Sequence, residues 1–228
     1  MPPPGSAPDA IHDPYEAQNR KIHAFNKGVD TAVLRPVARG YGKVANDDLK
    51  TVIGNVATNL STPNYMVNNL LQGDLGGFGR NLYRVVINST LGIGGLFDPA
   101  SEISKIDVVD ADFGMTLAQW GAPEGAYVEL PLLGPATERD AIGRIVDLFT
   151  NPLSYTIAGP ERHVGTASQV LDRIGDRDRF GDTIDSVLYD SADSYAQTRL
   201  IYLQSRRFAL GQDGQDPYSD PYEDPYAQ

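Results

Sequence analysis

The side chains best placed to do chemistry in this 228-residue chain are three histidines, two close carboxylate pairs and two glycine clusters. His12, His23 and His163 share no metal-ligand spacing. His23 sits within one turn of Lys27 and reads as a surface or interface residue, not a base or a ligand. The pairs Asp110 with Asp112 and Asp182 with Asp185 belong to polar faces. The stretch "DRDRFGD" opens like a calcium loop. Phe180 replaces its third ligand, however, and Val187 stands where the bidentate glutamate belongs, so helix-surface charge is the reading. The clusters "GDLGGFGR" and "GIGGLFD" are not GxGxxG, because Leu82 and Phe97 fall at the sixth position. No GxSxG or HExxH motif is present, and there is no cysteine to act as nucleophile or zinc ligand. With no nucleophile–base pair, the expectation is a protein that is not an enzyme and uses no metal or cofactor.

The rest of the composition narrows the class. The length suits one domain or two small ones, and 41% apolar residues is close to the globular norm. A net charge of −11 argues against nucleic acid as the partner. No apolar run approaches the ~18 residues of a transmembrane helix. "MPPPGSAPDAIHDPY" lacks the basic start and apolar stretch of a signal peptide, which fits a cytoplasmic protein or one whose export segment has been removed. Residues 1–12 read as a disordered leader, 13–210 as the folded domain and 211–228 as a disordered acidic tail. In the tail Asp-Pro-Tyr recurs at 216, 220 and 224. A proline every fourth residue prevents a helix there. Such a tail is either a solvated extension or a docking peptide that presents tyrosines.

The elements between leader and tail are mostly helical. Asp13 is a candidate N-cap with Pro14 at the first helical position, and Ile22, Phe25 and Val29 follow as a stripe. Pro36 should kink or end that helix near Arg35, and Arg35, Arg39 and Lys43 form a basic ridge. Asn46 or Asp47 caps the next helix, with Leu49, Val52, Ile53, Val56 and Leu60 on one face. Pro63 marks a further helix start. "DLGGFGRNLYRVVINSTLG" carries the stripe Leu75, Phe78, Leu82, Val85 and Val86, with Arg80 and Arg84 opposite. The pattern is broken from Asp107 to Pro135, with room for one short helix and at most a short hairpin. Thr137 then caps a helix with the stripe Ile142, Ile145, Val146 and Phe149, and two or three helices follow, broken at Gly175 and near Ser191. The expected class is all-α.

Two stretches are unusual. "NYMVNNLLQG" and "NSTLGIGGLFDPAS" carry amides and glycines where a water-facing helix would carry lysine and glutamate. A neutral polar face opposite an apolar one suits the headgroup region of a bilayer. It also suits a buried helix pair, and amphipathicity alone does not separate the two.

Four long motifs in order settle a resemblance. "DPYEAQNRKIHAFNKGVDTAVLRPVARGYG", "NLSTPNYMVNNLLQGD", "RVVINSTLGIGGLFDPAS" and "FGMTLAQWGAPEGAYVELPLLGPATERDAIG" resemble the MlaA (VacJ) family of Gram-negative outer-membrane lipoproteins, from about Asp13 to Leu210. The resemblance implies a ring of amphipathic helices in the inner leaflet of the outer membrane, beside a trimeric porin. Mislocalised outer-leaflet phospholipids would pass through its central channel to a periplasmic lipid-carrier protein, maintaining lipid asymmetry without catalysis or cofactor. The family's lipidated cysteine has no counterpart here, so the leader is expected to be the tether that follows it. A soluble helical module that docks partners through the acidic tyrosine tail is the alternative.

On that resemblance, Leu91, Ile93, Leu96 and Phe97 are expected to contact acyl chains, with Tyr65, Met66, Leu70 and Leu71 on the same outer surface. Gly92, Gly94 and Gly95 would let the backbone turn at the membrane plane, some with positive φ. Gly121 and Gly125, which flank Pro123, would be a hinge pair in the channel wall, where an ordinary surface loop is the alternative. Arg80, Arg84 and Arg139 would meet lipid headgroups.

Overall fold

Most of the predicted stripes form, and several of them face outward. The computed structural model describes residues 11–150, Pro152 and 163–211, with side chains in the last stretch from Thr166. Residues 1–10 of the leader, the Asp-Pro-Tyr tail and the side chain of His163 lie outside it.

Helix α1 (Glu16–Val29) runs through a π-helical turn, Asp30–Leu34, into α2 (Arg35–Val44). Pro36 does not end the helix. The wider turn takes up the misfit: Arg35 N–H reaches back five residues to Asp30 O, which leaves room for a ring that lacks a donor. Asp13 is not the N-cap; Tyr15 holds that position. The Asp13 carboxylate instead accepts from Tyr195 and Arg199 near the far end of the chain.

Helix α3 (Asp47–Gln72) is 26 residues long and starts as expected, with Asn46 Oδ1 accepting from Leu49 N–H at 2.9 Å. Pro63 lies inside it and starts nothing. Ser61 and Thr62 hydroxyls donate to the carbonyls of Ala57 and Thr58, one turn back along the helix. Gly73 closes the helix in the left-handed conformation, at φ +75°. Helix α4 (Leu75–Thr90) follows, capped by Asp74, then the short α5 (Pro99–Glu102) and α6 (Phe113–Gln119).

The hairpin is present: β1 (Tyr127–Leu130) pairs antiparallel with β2 (Gly134–Thr137), Tyr127 opposite Thr137. Its open edge is closed by two amides of α1. Asn19 accepts from Glu129 N–H and donates to Tyr127 O, and Asn26 does the same for Leu132 and Leu130. Side chains thus stand in for a third strand. Helix α7 (Glu138–Thr150) starts on Thr137, whose Oγ1 accepts from Asp140 N–H. Then come α8 (His163–Arg179), α9 (Gly181–Asp185), a second π-turn (Ser186–Asp190) and α10 (Ser194–Ala209). Gly175 does not break α8; its bare Cα sits against the Tyr41 ring. The break near Ser191 is real.

Helices α6 and α7 cross so closely that a Cβ on Gly143 would sit 2.7 Å from Gly114 Cα and closer still to its nitrogen. Backbone has nowhere to move. Gly143→Ala should cost about 1–3 kcal/mol, whereas Gly40→Ala, with nothing within 4 Å of its Cβ position, should leave the melting temperature unchanged or higher. Parallel thermal melts by circular dichroism check this.

Candidate functional site

The interior is polar, and many large apolar side chains are exposed. Among the described residues the buried hydrophobics are alanines plus Tyr127, Tyr195 and Leu203. The buried polar side chains include Asn19, Asn59, Thr62, Asn68, Asn69, Asn81, Arg84 and Asn88. On α4, Gly77, Asn81, Arg84 and Asn88 form the inner face, while Leu75, Leu82 and Val86 point outward. The stripe was correctly located; its direction is the reverse of a water-soluble core. The same holds on α1, where Asn19 and His23 are inside and Phe25 is out. His23 is therefore not a surface residue. Its Nε2 lies 3.1 Å from Ser194 Oγ and its Nδ1 lies 3.4 Å from Glu129 Oε1.

The amides form a connected frame. Asn81 donates to Asn69 Oδ1 and Val109 O, and accepts from Val109 N–H. Thr116 Oγ1 donates to Asn68 Oδ1 at 2.9 Å. Buried polar groups satisfied in this way rigidify a structure that lacks aliphatic packing.

The segment between Leu91 and Phe97 projects from this frame. Leu91 and Ile93 are 70% and 64% exposed, and Leu96 and Phe97 are exposed as well. Its backbone folds on itself: Gly94 N–H donates to Ser89 O, Gly95 N–H to Asn88 O and Phe97 N–H to Gly92 O. Gly94 and Gly95 have positive φ, and so does Ile93 at +54°. Gly92 does not. It is needed for space, because a Cβ there would strike Phe97 O and Asn88 O. From α3, Asn55 donates to Leu96 O at 3.2 Å.

Arg84 anchors the return of this segment. Its Nη2 donates to Asp98 Oδ2 at 2.7 Å, and its Nη1 donates to Ser101 Oγ and Ile106 O at 2.6 Å each. Asn88 holds the other Asp98 oxygen at 2.8 Å. Burial pushes the Asp98 carboxyl up, but these donors and Ser101 N–H outweigh it and hold it below the usual range. Arg84 is thus committed to protein and buried, not placed for a headgroup. Arg139 is also buried, with Nη1 on Ala122 O. Arg80 alone of the three is exposed.

Leu70 and Leu71 are exposed, whereas Met66 is half-buried. Tyr65 lines a cavity instead of the outer surface. The cavity, of about 450 Å³, lies between α3, α7 and α8, and includes Ser61, Asn64, Asp112, Asp147, Asp172 and Arg173. No local motif marks these residues, since they come from three helices and the segment before α6. Gly121 and Gly125 both have positive φ, and a Cβ on Gly125 would meet Glu138. Arg177 of "DRDRFGD" is not on a solvated face: it is buried against Asp30 and Asp185. Among the described residues no cluster could hold a metal ion, and no helix is long and apolar enough to cross a membrane.

Apolar helix faces outside and amides inside define a helical protein of inverted polarity. The chain belongs to the MlaA lipoprotein family, whose model matches residues 11–209. It is 33% identical over 199 residues to the "Intermembrane phospholipid transport system lipoprotein MlaA" of Escherichia coli K12, covering 86% of this chain and 77% of that one. An uncharacterized protein of Rickettsia typhi is 35% identical over 201 residues, covering 88% and 78%. A solved structure described as "Structural basis for maintenance of bacterial outer membrane lipid asymmetry" superposes with a TM-score of 0.74 at 33% identity, covering 87% of this chain and 98% of that one.

Proposed function

We propose that this chain is the outer-membrane component of an intermembrane phospholipid transport system. It lies in the periplasmic leaflet beside a trimeric porin and passes mislocalised outer-leaflet phospholipids through an amphipathic channel to a periplasmic carrier. The channel reading places its helices in a ring. Family membership supports the pathway. The observation that carries the reading is the inverted polarity: Leu91, Ile93, Leu96 and Phe97 are displayed on a segment anchored by the buried amides of Asn59 and Asn88, at Gly94 O and Asp98. Transfer of such side chains from water to hydrocarbon is favourable by roughly 1.5–3 kcal/mol each. A passive channel sets no direction; that comes from differential affinity further along the pathway.

The test pairs Leu91→Asp with Phe97→Asp. Both positions are exposed, so the melting temperature should hold. Cosedimentation with vesicles of phosphatidylethanolamine and phosphatidylglycerol should fall at least tenfold, and phospholipid that copurifies in mild detergent should drop. Undiminished vesicle binding by the folded variant would remove the segment from the membrane contact.

A further inference from the structure

The cavity between α3, α7 and α8 carries a charge pattern that narrows what it takes. Asp147 is held from both sides: Oδ1 accepts from Asn64 Nδ2 and Asn68 Nδ2, and Oδ2 from Phe113 N–H, each at 3.0 Å. All three donors are neutral, so the charge is oriented but not cancelled. Asp172 has no ion-pair partner among the described residues, and burial, then repulsion from Asp176, push its carboxyl above the usual range against a weaker pull from Arg179. The neighbouring wall reports the same field. Asp110 is raised by burial and by Asp112, and the Tyr65 phenol is pushed up to about 12, by burial first and then partly by Asp110, Asp112 and Asp172. Asp112 differs, because Arg206 holds both its oxygens, at 2.6 and 2.7 Å. Arg173 follows Asp172 in sequence and lines the cavity; among the described residues it pairs with no carboxylate.

The cavity therefore offers one uncommitted guanidinium beside two uncancelled carboxylates. Building on the transport reading above, we infer that it selects phospholipids with a zwitterionic, ammonium-bearing head. Arg173 meets the phosphate, and Asp147 and Asp172 meet the ammonium. The hydroxyls and amide of Thr58, Ser61 and Gln169 complete a polar wall. A volume of about 450 Å³ suits a headgroup, with the acyl chains extending beyond it. An anionic phospholipid with a glycerol head satisfies Arg173 but brings no cation to the carboxylates. Its discrimination is by repulsion as much as by attraction.

The experiment incubates the detergent-purified chain with vesicles of equal phosphatidylethanolamine and phosphatidylglycerol, re-isolates it and quantifies bound lipid by mass spectrometry. Bound phosphatidylethanolamine should exceed phosphatidylglycerol at least threefold. Asp172→Asn, which removes one of the two carboxylate charges but no hydrogen bond, should at least halve the ratio with total lipid retained, and Arg173→Gln should lower both classes. Equal amounts bound to the parent chain would overturn the inference and leave the transport reading standing. The parent's preference persisting in a folded Asp172→Asn variant would also overturn it. No lipid of either class on the parent would remove the transport reading, and the inference with it.

Discussion

Arg84→Met should melt far below the parent and lose vesicle binding with it. The arginine is buried and gives three hydrogen bonds to Asp98, Ser101 and Ile106. Methionine fills similar volume but leaves Asp98 with its charge and without its cation. Removing one partner of a buried ion pair typically costs about 3–5 kcal/mol, because the remaining charge stays desolvated. For a chain of this size that is a fall of roughly 6–20 °C. The functional loss follows from position. Asp98 is the residue at which the exposed segment returns to the frame, so releasing it frees Leu91–Phe97 from its fixed geometry. A second substitution separates charge from shape. Asp98→Asn in the Arg84→Met background removes the orphaned carboxylate and keeps an acceptor for Ser101 N–H, and should recover part of the lost stability. Differential scanning calorimetry of the three proteins checks it. An Arg84→Met protein that melts with the parent would mean that Asn88 and Ser101 suffice to hold Asp98.

The positions of the helices were legible in the sequence; which way they face was not. Leu75, Leu82 and Val86 recur at helical spacing whether that face meets a core or a bilayer, because periodicity has no sign. The sign was carried by the opposite face. Asparagines 68, 69 and 81 and Thr116 bond one another and the backbone, and only the finished fold shows them satisfied. Local signals held where the partner is local, as with Asn46 at the start of α3 and Thr137 at the start of α7. They failed where a distant group competes. Asp13 looks like a cap but is engaged by Tyr195 and Arg199, and Pro63 looks like a boundary but lies inside α3, which packs along its length on other helices. The cavity was out of reach for the same reason. Asn64, Asp147 and Asp172 lie on three helices, and nothing in their spacing shows that they share a wall.

Arg177→Met should be as severe, with a dependence on pH that identifies the cause. Arg177 joins the first π-turn to the end of α9: Nε and Nη2 hold Asp30 at 2.8 and 2.9 Å, and Nη2 holds Asp185 at 2.6 Å. Tyr189 adds its hydroxyl to Asp30 at 2.7 Å, and Arg35 stacks on the Tyr189 ring while pairing with Asp185. Burial pushes both carboxyls up, yet Arg177 and its neighbours hold them below the usual range. Groups depressed in this way stabilise the fold at pH above their unfolded value, near 3.8, and that contribution is lost as pH falls through the lower folded value. In the variant the strongest opposing force is gone, so burial dominates Asp30 and raises it. The cost at pH 7, about 3–5 kcal/mol for an orphaned buried charge, is then relieved as acid protonates that carboxyl. The gap in melting temperature between parent and variant should be wide at pH 7 and narrow toward pH 4. A gap independent of pH would assign the loss to packing around the guanidinium and not to its charge. The π-turns give the network its reach. Each adds a residue to its helical turn; the first carries Asp30 and the second carries Tyr189, which meet although they are 159 positions apart in sequence. The join adds to the cluster of Ile11, Tyr127, Tyr195 and Leu203 and to the bonds from Asp13 to Tyr195 and Arg199, which also hold the N-terminal and C-terminal thirds together.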